Sequence, residues 1–94
     1  MAKPISKKLE LRIIAPNISN DSAPPTTADM VILYALTGEL GILPGRAACS
    51  IVLGKGPLRV YNNGDITHMS VNGGIASINN DVVTVLSSGG IDKA

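Results

Sequence analysis

Leu58-Arg59-Val60-Tyr61-Asn62-Asn63-Gly64-Asp65-Ile66-Thr67-His68-Met69-Ser70-Val71 is the stretch from which the fold class is read. Two segments rich in apolar residues, 58–61 and 66–71, flank Asn62-Asn63-Gly64-Asp65. Asn-Gly between such segments is the strongest short-range signal for a β-hairpin, because both residues tolerate the positive φ of a tight hairpin turn. Working outward, Gly54-Lys55-Gly56-Pro57 reads as a tight turn that separates 58–61 from the apolar stretch Ala47 to Leu53. On the other side Gly73-Gly74 reads as a break, after which Ile75 to Ile78 and Val82 to Leu86 flank a third turn, Asn79-Asn80-Asp81. Short strands recurring every eight to ten residues or so predict an all-β sandwich or barrel.

The composition agrees. Ninety-four residues allow one domain, burying roughly 65% of the unfolded surface. With 45% apolar and 16% charged residues the chain is not a disordered tail. It has no Trp, no Phe and two Tyr, so the core must be aliphatic, and the plentiful Val and Ile favour strands. A formal net charge of +1 and the lack of aromatic platforms exclude a dedicated nucleic-acid binder. No run approaches the 18 or so apolar residues of a membrane span, and no apolar secretory core follows Met1. Lys3, Lys7, Lys8 and Arg12 against Glu10 make the first twelve residues net +3 (four minus one). This reads as a solvated end and edge strand, with an anionic partner surface as the other reading. Cys49 stands alone, so it has no internal disulfide partner; it reads as a small core hydrophobe in a reducing compartment.

Leu9, Leu11 and Ile13 alternate with charged residues, the pattern of a half-buried strand, and Ile14-Ala15-Pro16 ends it. Residues 17–29, with Pro24-Pro25 at the middle, read as a loop or weak edge strand. Met30 to Leu36 is apolar throughout: one face carries Val31, Leu33 and Ala35, the other Met30, Ile32, Tyr34 and Leu36. A strand apolar on both faces implies that a partner protein or the chain's own loops cover the second. No helical period persists, no internal repeat is evident, and Ser87 to Ala94 is expected to fray.

Catalytic constellations are absent. His68 and Cys49 are single copies, too few for a metal site or a nucleophilic pair, and His68 reads as a strand-face residue. The carboxylates Glu10, Asp21, Asp29, Glu39, Asp65, Asp81 and Asp92 show no paired arrangement, and no phosphate-binding loop motif occurs. Asn17-Ile18-Ser19 matches a glycosylation acceptor by chance. No catalytic residue, metal or cofactor is therefore expected, and function should reside in surfaces.

Thr37-Gly38-Glu39-Leu40-Gly41-Ile42-Leu43-Pro44-Gly45 resembles the G-E-L-G-I-L-P-G segment of the epsilon subunit of F-type ATP synthases, called delta in mitochondria. Three further segments fall in the same order as in that family. Leu9 to Pro16 resembles its opening strand, Val71-Asn72-Gly73-Gly74 its V-S-G-G turn, and Asp81 to Leu86 its closing V-T-V-L strand. Arg46 stands where a histidine is usual, and Ile75 where a phenylalanine is common.

The resemblance implies a ten-stranded antiparallel β-sandwich with no substantial helix and a core over roughly 8–87, as one domain. It implies a non-catalytic rotor subunit at the foot of the central stalk, linking the gamma subunit to the c-subunit ring. That subunit couples proton or sodium flow to ATP synthesis. The location implied is peripheral, on the cytoplasmic face of the inner membrane, without direct membrane insertion and without nucleic acid. The family's C-terminal helical hairpin is not expected here, because the chain stops at Ala94, so its inhibitory and ATP-binding roles are not carried over. Glu39, with Leu40 beside it, would face the polar loops of the c ring and pair with a basic residue there. Arg46 would lie close to the same interface, and Ile32 and Tyr34 would contact gamma. The alternative is a stand-alone β-sandwich adaptor with a different protein partner.

Overall fold

In a computed structural model, which describes residues 7–17 and 27–93, the chain forms β1 (Leu9–Ile14), β2 (Thr27–Ala28), β3 (Met30–Ala35), β4 (Gly38–Ile42), β5 (Cys49–Asn62), β6 (Asp65–Asn79), β7 (Val82–Leu86) and β8 (Ile91–Lys93). The strands pair in the order β2-β1-β7-β6-β5-β3-β4, with β8 also on β6. Lys3, Asp21 and Pro24-Pro25, singled out above, lie outside the described residues.

The β5–β6 hairpin carries the fold. Asn63 and Gly64 take φ of 54° and 85°, the mirror-image turn that matches strand twist. Asn80 and Asp81, at φ 50° and 63°, make the same turn between β6 and β7. Both β5 and β6 continue where the sequence predicts breaks. Gly54-Lys55-Gly56-Pro57 is no turn but a bulge: Ile32 faces Arg59 and Ala35 faces Leu53, so three steps along β3 span six along β5. At Gly74, φ is 132° and a Cβ would overlap the Leu86 carbonyl, so only glycine lets β6 run past the end of β7.

These two irregular points divide each long strand between two layers. One layer holds β2, β1, β7, the second half of β6 and the first half of β5. The other holds β4, β3, the second half of β5, the first half of β6 and β8. Each layer thus has five strand segments, and the ten expected strands are eight continuous ones among the described residues. The all-β class and the absence of helix hold. The wholly antiparallel expectation does not, since β1 runs parallel to β7. A parallel neighbour requires a long crossover, and β2 to β6 lie between these two strands in the chain.

Leu9, Leu11, Ile78, Val83 and Val85 from one layer meet Val31, Leu33, Leu58, Val60 and Val71 from the other in one aliphatic core. Of the two apolar faces of β3, the one that carries Val31, Leu33 and Ala35 is buried. Cys49 packs against this core, half-buried.

The tail does not fray as expected. Ser87 is fully buried, and its hydroxyl donates to the Gly73 carbonyl at 2.6 Å, with the Gly90 carbonyl at 3.3 Å. Ile91 is buried in the core, and β8 pairs with Met69–Val71. The Asn17 amide accepts from Ile91 N at 3.0 Å and donates to Ile91 O at 2.9 Å. Asn17 thereby acts as a neighbouring strand for β8, and its amide is engaged in structure rather than presented as an acceptor for sugar. At the other end of the sandwich Lys8 Nζ meets Asp29 at 2.7 Å and the side-chain oxygens of Asn62 and Asn63 at 2.8 Å each. The hydrogen bond from Lys8, and a second from the Asn63 N–H, hold the Asp29 carboxyl below its ordinary range.

Candidate docking surface

Strand register brings together residues that lie far apart in the sequence. Ile14 on β1 faces Leu86 on β7, Leu86 faces Ile75 on β6, and Ile75 faces Val52 on β5. Leu36, just past β3, donates its N–H to the Val52 carbonyl at 3.2 Å and continues the line. All five point outward and are 49–71% exposed. The next row on the same face is Arg12, Thr84, Ser77 and Ser50, which is polar throughout. A sheet face with one side packed on the core normally turns polar residues to water. Here one complete row is aliphatic, a contiguous patch of the kind that marks a protein interface.

The row turns onto β3. The side chains of Leu36 and Tyr34 both lie against Gly54, and a Cβ at Gly56 would overlap the Tyr34 ring. The bulge in β5 therefore seats Tyr34, which remains 40% exposed. Ile32 follows on the same outer face, half-buried, between Gly41 of β4 and Arg59 of β5. The second face of Met30 to Leu36 is thus only partly covered by the chain's own residues: Met30 and Ile32 are half-buried, and Tyr34 and Leu36 stay open.

Glu39 sits opposite Tyr34, and its carboxylate accepts from the Arg59 guanidinium at 2.8 Å. The polar end of this surface is an ion pair rather than a lone carboxylate. Leu40 turns the other way and packs, partly buried, against the core. Arg46 lies beyond the opposite end of β4, beside the β6–β7 turn, where Gly45 N donates to Asp81 at 2.7 Å. Glu39 and Arg46 are thus separated by the length of β4. His68 is exposed on the outer face of β6, whereas Cys49 faces inward on the other layer, so the two do not meet.

Sequence reading did not find Arg59 or the row Ile14-Leu86-Ile75-Val52. The one available signal was apolar residues at outward-facing positions of three predicted strands, and nothing local shows that they align.

Comparison with known proteins gives a consistent result. Residues 8–92 match the family model described as the beta-sandwich domain of the ATP synthase delta/epsilon chain. The ATP synthase epsilon chain of Prochlorococcus marinus (strain NATL1A) is 40% identical over 78 residues, covering 83% of this chain and 56% of that one. The chloroplastic ATP synthase epsilon chain of Pylaiella littoralis is 44% identical over 81 residues, covering 86% and 59%. The chain thus spans somewhat over half the length of these curated relatives. Its fold is similar to a chain in the cryo-EM structure of the central stalk and c ring of Tetrahymena thermophila mitochondrial ATP synthase. There the TM-score is 0.70 at 14% identity, covering 94% of this chain and 68% of that one.

Proposed function

This chain belongs to the delta/epsilon family of ATP synthase subunits, and on that premise we propose that it is a non-catalytic element of the rotor's central stalk. In this reading it is a single sandwich domain that docks on the gamma subunit through the aliphatic row and bears on the c ring with the Glu39 end of the β3–β4 hairpin. It transmits torque between ion flow and nucleotide chemistry. Its location is peripheral, on the cytoplasmic face of the membrane that holds the complex. Among the described residues no helix is long and apolar enough to cross a membrane.

The observation that carries the reading is the row Ile14, Leu86, Ile75, Val52 and Leu36, continued by Tyr34. Fully burying one such aliphatic side chain gains about 1.5–3 kcal/mol. The members are 40–71% exposed, so docking gains about 1 kcal/mol per residue. The Glu39–Arg59 pair is solvent-exposed and contributes ~0–1 kcal/mol at most. The apolar row therefore supplies affinity, and the ion pair sets register.

Calorimetric titration with the cognate gamma subunit tests this. One-to-one binding is expected. Val52→Asp removes about 1 kcal/mol of burial and forces a carboxylate into the interface, so it should weaken binding about 100-fold. Tyr34→Lys should also abolish tight binding while the fold persists. Unchanged affinity in both folded variants would remove the row from the gamma interface.

A further inference from the structure

The lysine and arginine side chains described here divide into two groups. Lys8, Arg12 and Arg59 are ion-paired with Asp29, Glu10 and Glu39. Lys7, Arg46 and Lys55 have no such partner among the described residues. Two of these three, Lys7 and Arg46, line the same cleft of about 430 Å³. Its other walls are Gly45, Ala47, Ala48, Asn79, Asn80 and Asp81. The volume lies within the range of small-molecule sites, and apart from Gly45 and the two alanines the lining residues are polar or charged.

The cleft is held in shape by one residue. Asp81 accepts Gly45 N on its carboxylate at 2.7 Å and Glu10 N on its backbone carbonyl at 2.8 Å. The start of β1, the loop after β4 and the β6–β7 turn, which border the cleft, are thereby tied together. The lining has two kinds of polar group. Lys7, Arg46 and the Asn79 and Asn80 amides offer charged or neutral N–H donors, while the remaining Asp81 carboxylate oxygen only accepts.

We propose that this cleft binds a phosphate group that still carries a P–OH, either free inorganic phosphate or a phosphomonoester. Lys7, Arg46, Asn79 and Asn80 donate to the unprotonated oxygens. Asp81 accepts the P–OH. Sulfate is fully ionised near neutral pH and has no hydrogen to offer, so it meets the Asp81 carboxylate as a repulsive partner. A dialkyl phosphate, such as a phosphatidylglycerol headgroup, is rejected for the same reason. The site is separate from the aliphatic row and does not depend on gamma docking.

The test is an amide-resolved NMR titration of the whole chain with sodium phosphate at pH 6.5, at constant ionic strength, with sodium sulfate and glycerol phosphate in parallel. Saturable shifts confined to residues 7, 45–48 and 79–81 are expected for phosphate, with sulfate at least tenfold weaker. Tighter saturation by glycerol phosphate assigns the monoester as ligand, and tighter saturation by phosphate assigns the free ion. Arg46→Gln should raise the half-saturating phosphate concentration about tenfold. Asp81→Asn keeps a residue that tolerates the left-handed turn and can still accept from Gly45 N, but replaces the acceptor aimed at the ligand with an amide. It should erase the preference for phosphate over sulfate, an effect that a purely structural role would not produce. Asn80→Gly, which suits the same turn while removing a donor, provides a second folded variant and should weaken phosphate several-fold. Linear or dispersed shifts, equal response to sulfate, or indifference to these substitutions in folded protein would overturn the proposal.

Discussion

Ser87→Ala is the substitution most informative about what closes the sandwich. The side chain is fully buried, and its hydroxyl donates at 2.6 Å to the carbonyl of Gly73, the residue beside the β6 bend. Gly90 O, also close to Ser87 Oγ, keeps Asn72 donors at 3.1 and 3.2 Å and stays satisfied without Ser87. Gly73 O loses its hydroxyl donor. A buried group left without its partner costs about 1–3 kcal/mol, and the middle of that range, ~2 kcal/mol, is the expected loss. For a domain of this length each kcal/mol lowers the thermal midpoint by roughly 4–8 °C, so the midpoint should fall roughly 8–16 °C. The assay is thermal unfolding followed by far-ultraviolet circular dichroism, with amide exchange across residues 87–93. Exchange at Ile91 should accelerate with the global loss. The exposed neighbour gives the control: Ser88→Ala should stay within about 0.5 kcal/mol of the parent. If both variants melt within ~2 °C of the parent, Ser87 does not hold the tail, and the account of β8 closure fails.

Gly74→Ala should destabilise by more than about 2 kcal/mol, because it must either move the Leu86 carbonyl or abandon φ 132°; denaturant unfolding would measure it. Asp29 should titrate below 3.8 in the folded chain, as read by carboxyl ¹³C shifts. The pKa is lowered on folding, so the stabilisation is fully present above 3.8 and is lost as pH falls through the lowered folded value. Lys8→Met should move the Asp29 midpoint back toward 3.8 and flatten the acid limb of the stability curve. Arg59→Met should change stability by less than about 1 kcal/mol, because Glu39 is half exposed. A larger loss in urea unfolding would mean that the Glu39–Arg59 pair is a structural element and not a surface feature.

Much of the layout is legible locally. The buried positions Leu9 and Leu11 follow from alternation with charged residues, since a strand turns successive side chains to opposite faces. For β3, apolar on both faces, alternation groups Val31, Leu33 and Ala35, but the sandwich decides that they face inward. The turns at Asn63-Gly64 and Asn80-Asp81 follow from residues that tolerate positive φ. Local reading went wrong at Gly54-Lys55-Gly56-Pro57 and Gly73-Gly74, where glycine signals a break in either of two forms. The same residues serve a turn or a bulged, continuing strand, and only the partner strand decides between them. It also went wrong at the tail, where small polar residues suggested fraying. Their value comes from long-range partners: Gly73 for Ser87, Asn17 for Ile91 and Asn72 for Gly90.

For the candidate site, the sequence supplied Ile32, Tyr34 and Glu39 but assigned Glu39 to one partner and Ile32 and Tyr34 to another; the pairing of β3 with β4 is what sets Glu39 opposite Tyr34. The sequence could not supply Arg59, which reaches Glu39 across β3, nor separate Leu40 and Arg46 from them. By itself the sequence determined the all-β class, the inward face of β1, two hairpin turns and a family resemblance, all of which depend on residues close together in the chain. Only the tertiary structure decided that Ile14, Leu36, Val52, Ile75 and Leu86 form one row. Each is a single outward apolar residue on its own segment, and it is pairing register, fixed by the shared core and by the bends at the β5 and β6 glycines, that sets them side by side.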